Sequence, residues 1–323
     1  MIINNTVVSG ILCVLFYNLL SATKGVYLGS LLQRFDPILL LFASFSVVTL
    51  FFSTIGFIKR GSDSAGKGEA AISIGKHKFD VVMVNFLTAS AWITFFYALK
   101  NLEPAVGSAL ANALIPISTL LLGLLLRTAA APKHLEVVSA LGVLIGVYLL
   151  VDAVWAGKSG LSEMSSERTQ LGLLMGILCG VSMAANNLFS KRLNTKGWSA
   201  RQILAVRFYA LIILSVCMLK GSDFLGLMNV EAIVNVLVIS FFGIIIPLYS
   251  FQLGVQKLEP MIVSLTLATV PLFVFGVQLF DQRVRFSPHS LVGIAVILVF
   301  TMLGVLSRFK SINVLALFQR KPA

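Results

Sequence analysis

The sequence predicts an all-α polytopic membrane protein whose ten transmembrane helices form two inverted five-helix repeats. Three observations lead there: a composition too apolar for water, ten apolar runs of membrane-crossing length, and a helix-start motif that recurs five runs later. Of 323 residues, 58% are hydrophobic and 12% charged, against about 45–50% and about 25% in soluble domains. Mean hydropathy is +0.95. A bilayer-crossing helix takes ~20 apolar residues, so ten of them leave only short connections. A soluble enzyme, a disordered tail and a nucleic-acid-binding domain are thereby excluded.

The runs cover about 8–30, 37–58, 80–99, 104–126, 135–155, 171–190, 202–220, 232–253, 260–280 and 289–307. They are continuous rather than alternating, so a β-barrel does not compete. The first lacks a basic flank and is too long for the core of a cleavable signal. It places Tyr17, Ser21 and Lys24 on one helical face, with Asn18 beside them. Two readings of Lys24 stay open: a snorkelling residue near the outer end, or a substrate contact or coupling charge facing the interior.

Span 3 aligns Asn85, Thr88, Trp92 and Phe96 on a face. Span 4 aligns Ser108, Asn112 and Thr119, with Pro116 opening the backbone ladder. Small residues run as stripes at Ala105, Ala109 and Ala113, at Gly142 and Gly146 of span 5, and at Gly172, Gly176, Gly180 and Ala184 of span 6. Such stripes let helices approach closely. Span 6 also offers Asn186 and Asn187, and span 7 Arg207 and Tyr209. Arg207, six residues after Arg201, is expected to snorkel to the cytoplasmic face. Span 8 adds Tyr249 and Gln252, and span 9 adds Thr266, Thr269 and Pro271. Trp155 and Trp198 fall at expected interfaces.

Polar and aromatic groups scattered through apolar walls are the makings of a small-molecule cavity. Its expected lining is Tyr17, Asn18, Ser21, Lys24, Asn85, Trp92, Asn112, Asn187, Tyr249 and Gln252. No Asp or Glu lies at mid-span, so Lys24 and Asp281 are the coupling candidates, Asp281 being at a helix end. Zinc-protease, serine-hydrolase and Walker signatures are missing. His77, His134 and His289 lie in or next to loops, and Cys13, Cys179 and Cys217 lie within apolar runs. No catalytic residue, metal, cofactor or disulfide is expected, and the chain is not read as an enzyme.

The repeat shows in one motif. Leu102-Glu103-Pro104 recurs as Leu258-Glu259-Pro260, an offset of 156, and Ser108 matches Ser264. Each copy opens a helix with a further proline, Pro116 or Pro271. Proline suits a helix's first turn and glutamate its positive end, so both glutamates read as helix-start residues. The copies open spans 4 and 9. An odd separation of five spans inverts one half against the other, as in many secondary transporters. The division expected is 1–155 as the first repeat with a flexible cytoplasmic loop at 59–79, 156–170 as an external linker, 171–308 as the second repeat, and 309–323 as a cytoplasmic tail.

These features resemble the ten-span, EamA-type members of the drug/metabolite transporter superfamily. The resemblance is carried by Tyr97-Ala98-Leu99-Lys100 running into the Pro116 helix, by Arg207-Phe208, by Lys24, and by Leu253 to Leu298 with Pro271, Asp281 and Gly293. The first half departs from the pattern. Phe16-Tyr17-Asn18 stands where the family often has Trp-Gly, Ser44-Phe45 where it has Arg-Phe, and Arg127 where it has Glu. The resemblance implies a secondary active transporter that moves a small metabolite across a bacterial-type inner membrane by alternating access, in the export direction. Aromatic and amide groups favour an amino acid or amine-like amphiphile, and missing deep carboxylates speak against a polycation. The alternative is a membrane-embedded binding or scaffold protein without transport. Expected partners are a small-molecule substrate and the lipid bilayer, without nucleic acid, and nothing demands more than a monomer.

The net charge of +12 supplies the orientation. With a cytoplasmic N-terminus, sixteen basic residues fall inside: Lys59, Arg60, Lys67, Lys76, Lys78, Arg127, Lys133, Lys191, Arg192, Lys196, Arg201, Lys257, Arg308, Lys310, Arg320 and Lys321. Seven fall outside: Arg34, Lys100, Lys158, Arg168, Lys220, Arg283 and Arg285. The positive-inside rule then puts both termini in the cytoplasm. A tag at either terminus should resist external labelling in intact cells and label after permeabilisation; an externally reactive tag refutes the orientation.

Overall fold

The computed structural model describes residues 5–62, 74–125, 134–161, 165–220 and 229–318, and among these every regular element is helical. Six crossings are single α-helices: α1 (Asn5–Leu31), α2 (Pro37–Ser62), α3 (Lys78–Asn101), α6 (His134–Trp155), α7 (Ser166–Thr195) and α14 (Pro288–Phe318). Four are composite. Span 4 is α4 (Pro104–Ala113) and α5 (Ile115–Leu125), and span 7 is α8 (Ala200–Val206) and α9 (Tyr209–Met218). Span 8 is α10 (Val230–Val238) and α11 (Ile246–Lys257) joined by a π-helical segment, Ile239–Ile245. Span 9 is α12 (Pro260–Leu267) and α13 (Val270–Gln278). Among the described residues, nine helices are long and apolar enough to cross a membrane, with a tenth, shorter apolar stretch at Pro288–Gly304.

The helix starts follow local chemistry. Pro104 and Pro260 take the first position of α4 and α12, where the missing N–H costs nothing. Ser165 caps α7 by accepting from the Arg168 N–H. Ser199 and Gln202 form a reciprocal capping box on α8. The α14 helix runs eleven residues past the predicted end at 307, into the expected tail. Hydropathy marks the hydrocarbon slab, whereas backbone hydrogen bonding continues beyond it. Most of the loop expected at 59–79 lies outside the described residues, as do 319–323.

Packing follows the inverted repeat. The α1 helix lies along α11, and its counterpart α7 lies along α3; α6 packs on α14, α2 on α9 and α4 on α13. Spans 1 and 6, 3 and 8, and the remaining pairs exchange places when the halves are exchanged. Glycines set the closest crossings. A Cβ at Gly142 would stand 2.0 Å from the Phe300 ring, and one at Gly176 would stand 2.7 Å from Leu110 Cβ. Trp198 lies in the turn between α7 and α8. It is buried with Val81, Phe189, Leu193 and Ile203, between the ends of α3, α7 and α8.

The breaks lie at mid-membrane, where unpaired backbone groups are costly. Three precede prolines: Pro116 in span 4, Pro247 in span 8 and Pro271 in span 9. Pro116 cannot donate to the Asn112 carbonyl four residues back, which accepts from the Leu114 N–H. In span 9, Asn18 of α1 donates to the Thr266 carbonyl at 2.8 Å and to Thr269 Oγ1 at 3.0 Å. The break in span 7, at Arg207 and Phe208, has no proline. Asn85 of α3 spans it instead: Nδ2 donates to the Val206 carbonyl at 2.6 Å, and Oδ1 accepts from the Ala210 N–H at 3.3 Å. Replacing Asn85 with Ala strands one acceptor and one donor. The expected loss is about 1–3 kcal/mol, read as a lower unfolding midpoint in detergent. An unchanged midpoint would remove the stitching role.

Candidate functional site

A central cavity lies between α1, α3, α4 and α7, lined by Tyr17, Ser21, Lys24, Ala91, Trp92, Phe95, Asn112 and Met183. The room inside admits about one water. Five residues expected from the sequence meet here: Tyr17, Ser21 and Lys24 from α1, Trp92 from α3 and Asn112 from α4. Helical spacing brings the α1 group onto one face. Phe95 follows Trp92 by three residues and Met183 precedes Asn186 by three, so the same spacing argument reaches both.

Lys24 is 5% exposed, so it does not snorkel. Its Nζ lies 4.5 Å from the Trp92 ring centroid and 5.5 Å from that of Phe95, within cation–π range. Span 8 makes room for it. A Cβ on Gly243, in the π-helical segment, would stand 2.9 Å from Lys24 Cγ and 3.2 Å from Cδ. Ser240 Oγ, in that segment, donates to the Val236 carbonyl at 2.6 Å within its own span and lies 3.2 Å from the Ser44 carbonyl of α2. Gly243 carries no chemical group, and nothing in the sequence marks it. The aromatic wall is continuous: Phe45 packs edge-on against Trp92 at 4.8 Å and tilted against Phe208 at 5.3 Å, and Tyr17 meets Phe251 at 4.8 Å.

The remaining expected residues lie elsewhere. Asn18 and Asn85 serve the helix breaks. Asn112, one of the five in the lining, also donates to the Ser108 carbonyl at 2.9 Å. Gln252 is buried, and its Oε1 accepts from Arg207 Nη1 at 3.2 Å. Asn187 is buried with its Nδ2 unpartnered, and Tyr249 is half-buried on α11. Asp281 lies in the turn after α13. It pairs with Arg283, whose Nη1 also caps the Gly29 carbonyl at the end of α1. Partial burial alone would raise the Asp281 carboxyl, but the Arg283 contacts outweigh it and hold it below the usual range.

One expectation is corrected. Arg207 does not snorkel: it is 3% exposed, and its Nε donates to Thr88 Oγ1 at 3.2 Å. The break in its helix turns the side chain inward, where Thr88 and Gln252 receive it. Glu103 begins α4 but makes no side-chain cap. Its carboxylate accepts from the Gly160 N–H at 2.7 Å, Gln278 Nε2 at 2.5 Å and Ser290 Oγ at 3.1 Å. It clasps the linker and the second repeat at the end of the bundle opposite the start of α1. Burial pushes its carboxyl up, and the three donors offset only part of that shift. At the other end, buried Asp80 of α3 pairs with Arg192 at 3.2 Å and with Lys196, at the end of α7 and its cap.

Comparison with known proteins places this arrangement. The chain matches the EamA-like transporter family twice, over residues 8–152 and 170–306. No curated protein matches it. Among solved structures, one described simply as "Crystal structure of protein" superposes with a TM-score of 0.62 at 16% identity, over 92% of this chain and 98% of that one. That likeness speaks for the fold alone.

Gly243 offers a test of the cavity that leaves every polar group in place. The Gly243→Ala methyl must displace the middle of the Lys24 stem, not its mobile tip. A ligand that uses Lys24 should bind about tenfold more weakly, a loss of about 1.4 kcal/mol, with the unfolding midpoint little changed. Undiminished binding would separate Lys24 from the ligand site.

Proposed function

The chain belongs to the EamA-like transporter family, whose members are multi-pass membrane transporters of small solutes, and we propose that it is a secondary active transporter working by alternating access. The observation that carries this reading is a cavity lined by α1, α3 and the broken span 4 of the first repeat and by α7 of the second, with side chains tying the bundle at either end. Discontinuous helices at mid-membrane are where transporters build substrate sites. The cavity admits about one water, so a substrate enters only as helices separate. The clasp at Glu103 and the pairing at Asp80 lie on opposite sides of it, the positions that alternate opening requires.

The substrate proposed is a small amphiphilic metabolite of the amino-acid type, exported across a bacterial-type inner membrane with both termini cytoplasmic. Its site comprises Tyr17, Ser21, Lys24, Trp92 and Asn112, with Asn187, Tyr249 and Gln252 reached when the bundle opens. Asn18 and Asn85 support it from the helix breaks. Coupling belongs to Lys24, which faces the cavity, and not to Asp281, which Arg283 already neutralises. Residues 1–155 and 171–308 act as the two moving repeats, joined by the external linker 156–170.

The test is flux. Purified protein screened against amino acids by thermal shift should yield a stabilising ligand, since binding to the native state raises apparent stability. Proteoliposomes should then exchange that ligand saturably. Lys24→Met should lower exchange at least about tenfold, the effect of one charged contact. Tight binding with no exchange in either direction would favour the scaffold alternative.

A further inference from the structure

The charge of Lys24 is left unanswered by the protein. Its ammonium has three N–H donors, and its close neighbours are the faces of Trp92 and Phe95. Ring faces attract a cation but do not neutralise it. Arg34–Glu231, Asp80 with Arg192 and Lys196, and Asp281–Arg283 form ion pairs toward helix ends. None involves Lys24. Arg207, the other buried cation, already donates to Thr88 and Gln252. The arrangement at Lys24 is nonetheless built, since Gly243 clears the space its stem occupies.

A buried charge is normally paired. We propose, resting on the cavity being the transport site, that it binds a small amphiphile bearing a single carboxylate. The carboxylate pairs with Lys24, and the apolar body lies along Trp92, Phe95 and Met183. An amine lacking a carboxylate is repelled by Lys24 and finds no acid among the lining residues. A phosphate brings more than one negative charge, and a single lysine lines the cavity. The assignment also gives a reason for coupling. For a ligand whose only charge is the carboxylate, pairing with protonated Lys24 leaves the loaded site neutral, so the protein crosses between states more readily when loaded and favours exchange over net flow.

The experiment uses full-length protein in which Trp155→Phe and Trp198→Phe leave Trp92 as the sole reporter. The probes are 3-phenylpropionate, 3-phenylpropylamine, 3-phenylpropanol and phenyl phosphate, titrated at neutral pH. The propionate should change Trp92 emission saturably, and the other three should bind at least about tenfold more weakly. Lys24→Met should weaken the propionate about 10- to 100-fold, as loss of a charged hydrogen bond does. Lys24→Arg should keep it within about tenfold. Preference for the amine or the phosphate, carboxylate binding indifferent to Lys24→Met, or no response from folded protein to any probe overturns the proposal. Flux is scored separately in proteoliposomes. Propionate held by Lys24 but never carried removes transport and leaves the site; carried solutes indifferent to Lys24 remove the site and leave transport.

Discussion

Hydrocarbon offers a backbone no hydrogen-bond partner, and the rest of this structure depends on that constraint. Nearly every described residue of the crossings is helical because each helix satisfies its own N–H and C=O groups. Where a helix is interrupted, a neighbour must supply what the lost turn did. Asn18 does so for span 9 and Asn85 for span 7. Polar residues that look like binding groups in a one-dimensional reading are therefore divided between two tasks, and the first claim on them is structural.

The same constraint governs charge. Asp80, Asp281 and Glu103 lie at the ends of the bundle, where arginine, lysine or converging donors meet them. Two cations remain deep. Arg207 is held by neutral oxygens of Thr88 and Gln252, while Lys24 lies under aromatic rings beside the cavity. Burying a charge without a counter-charge is expensive. The one that faces free space is therefore the group with most to gain from a ligand.

Inversion gives the two halves matching packing without matching surroundings. Glu103 and Glu259 open equivalent helices in the same tripeptide, yet Glu103 is 1% exposed and joined to three donors, while Glu259 is exposed. A sequence repeat fixes which helix a residue starts. What that residue meets depends on segments outside the repeat, here the linker at Gly160 and the start of α14 at Ser290.

By itself the amino-acid sequence determined the membrane, the ten crossings, the inverted halves and the family, because apolar run length and a repeated helix start are local signals. It also placed Tyr17, Ser21, Lys24, Trp92 and Asn112 at the cavity, since helical spacing alone aligns the α1 group and the others face it from single helices. Only the tertiary structure decided what Arg207, Glu103 and Asn85 do. Each owes its role to a partner more than forty residues away, and in hydrocarbon a polar group goes wherever a partner is within reach. Gly243 is the extreme case: its contribution is a missing Cβ, and an absence of atoms matters only once Lys24 is beside it.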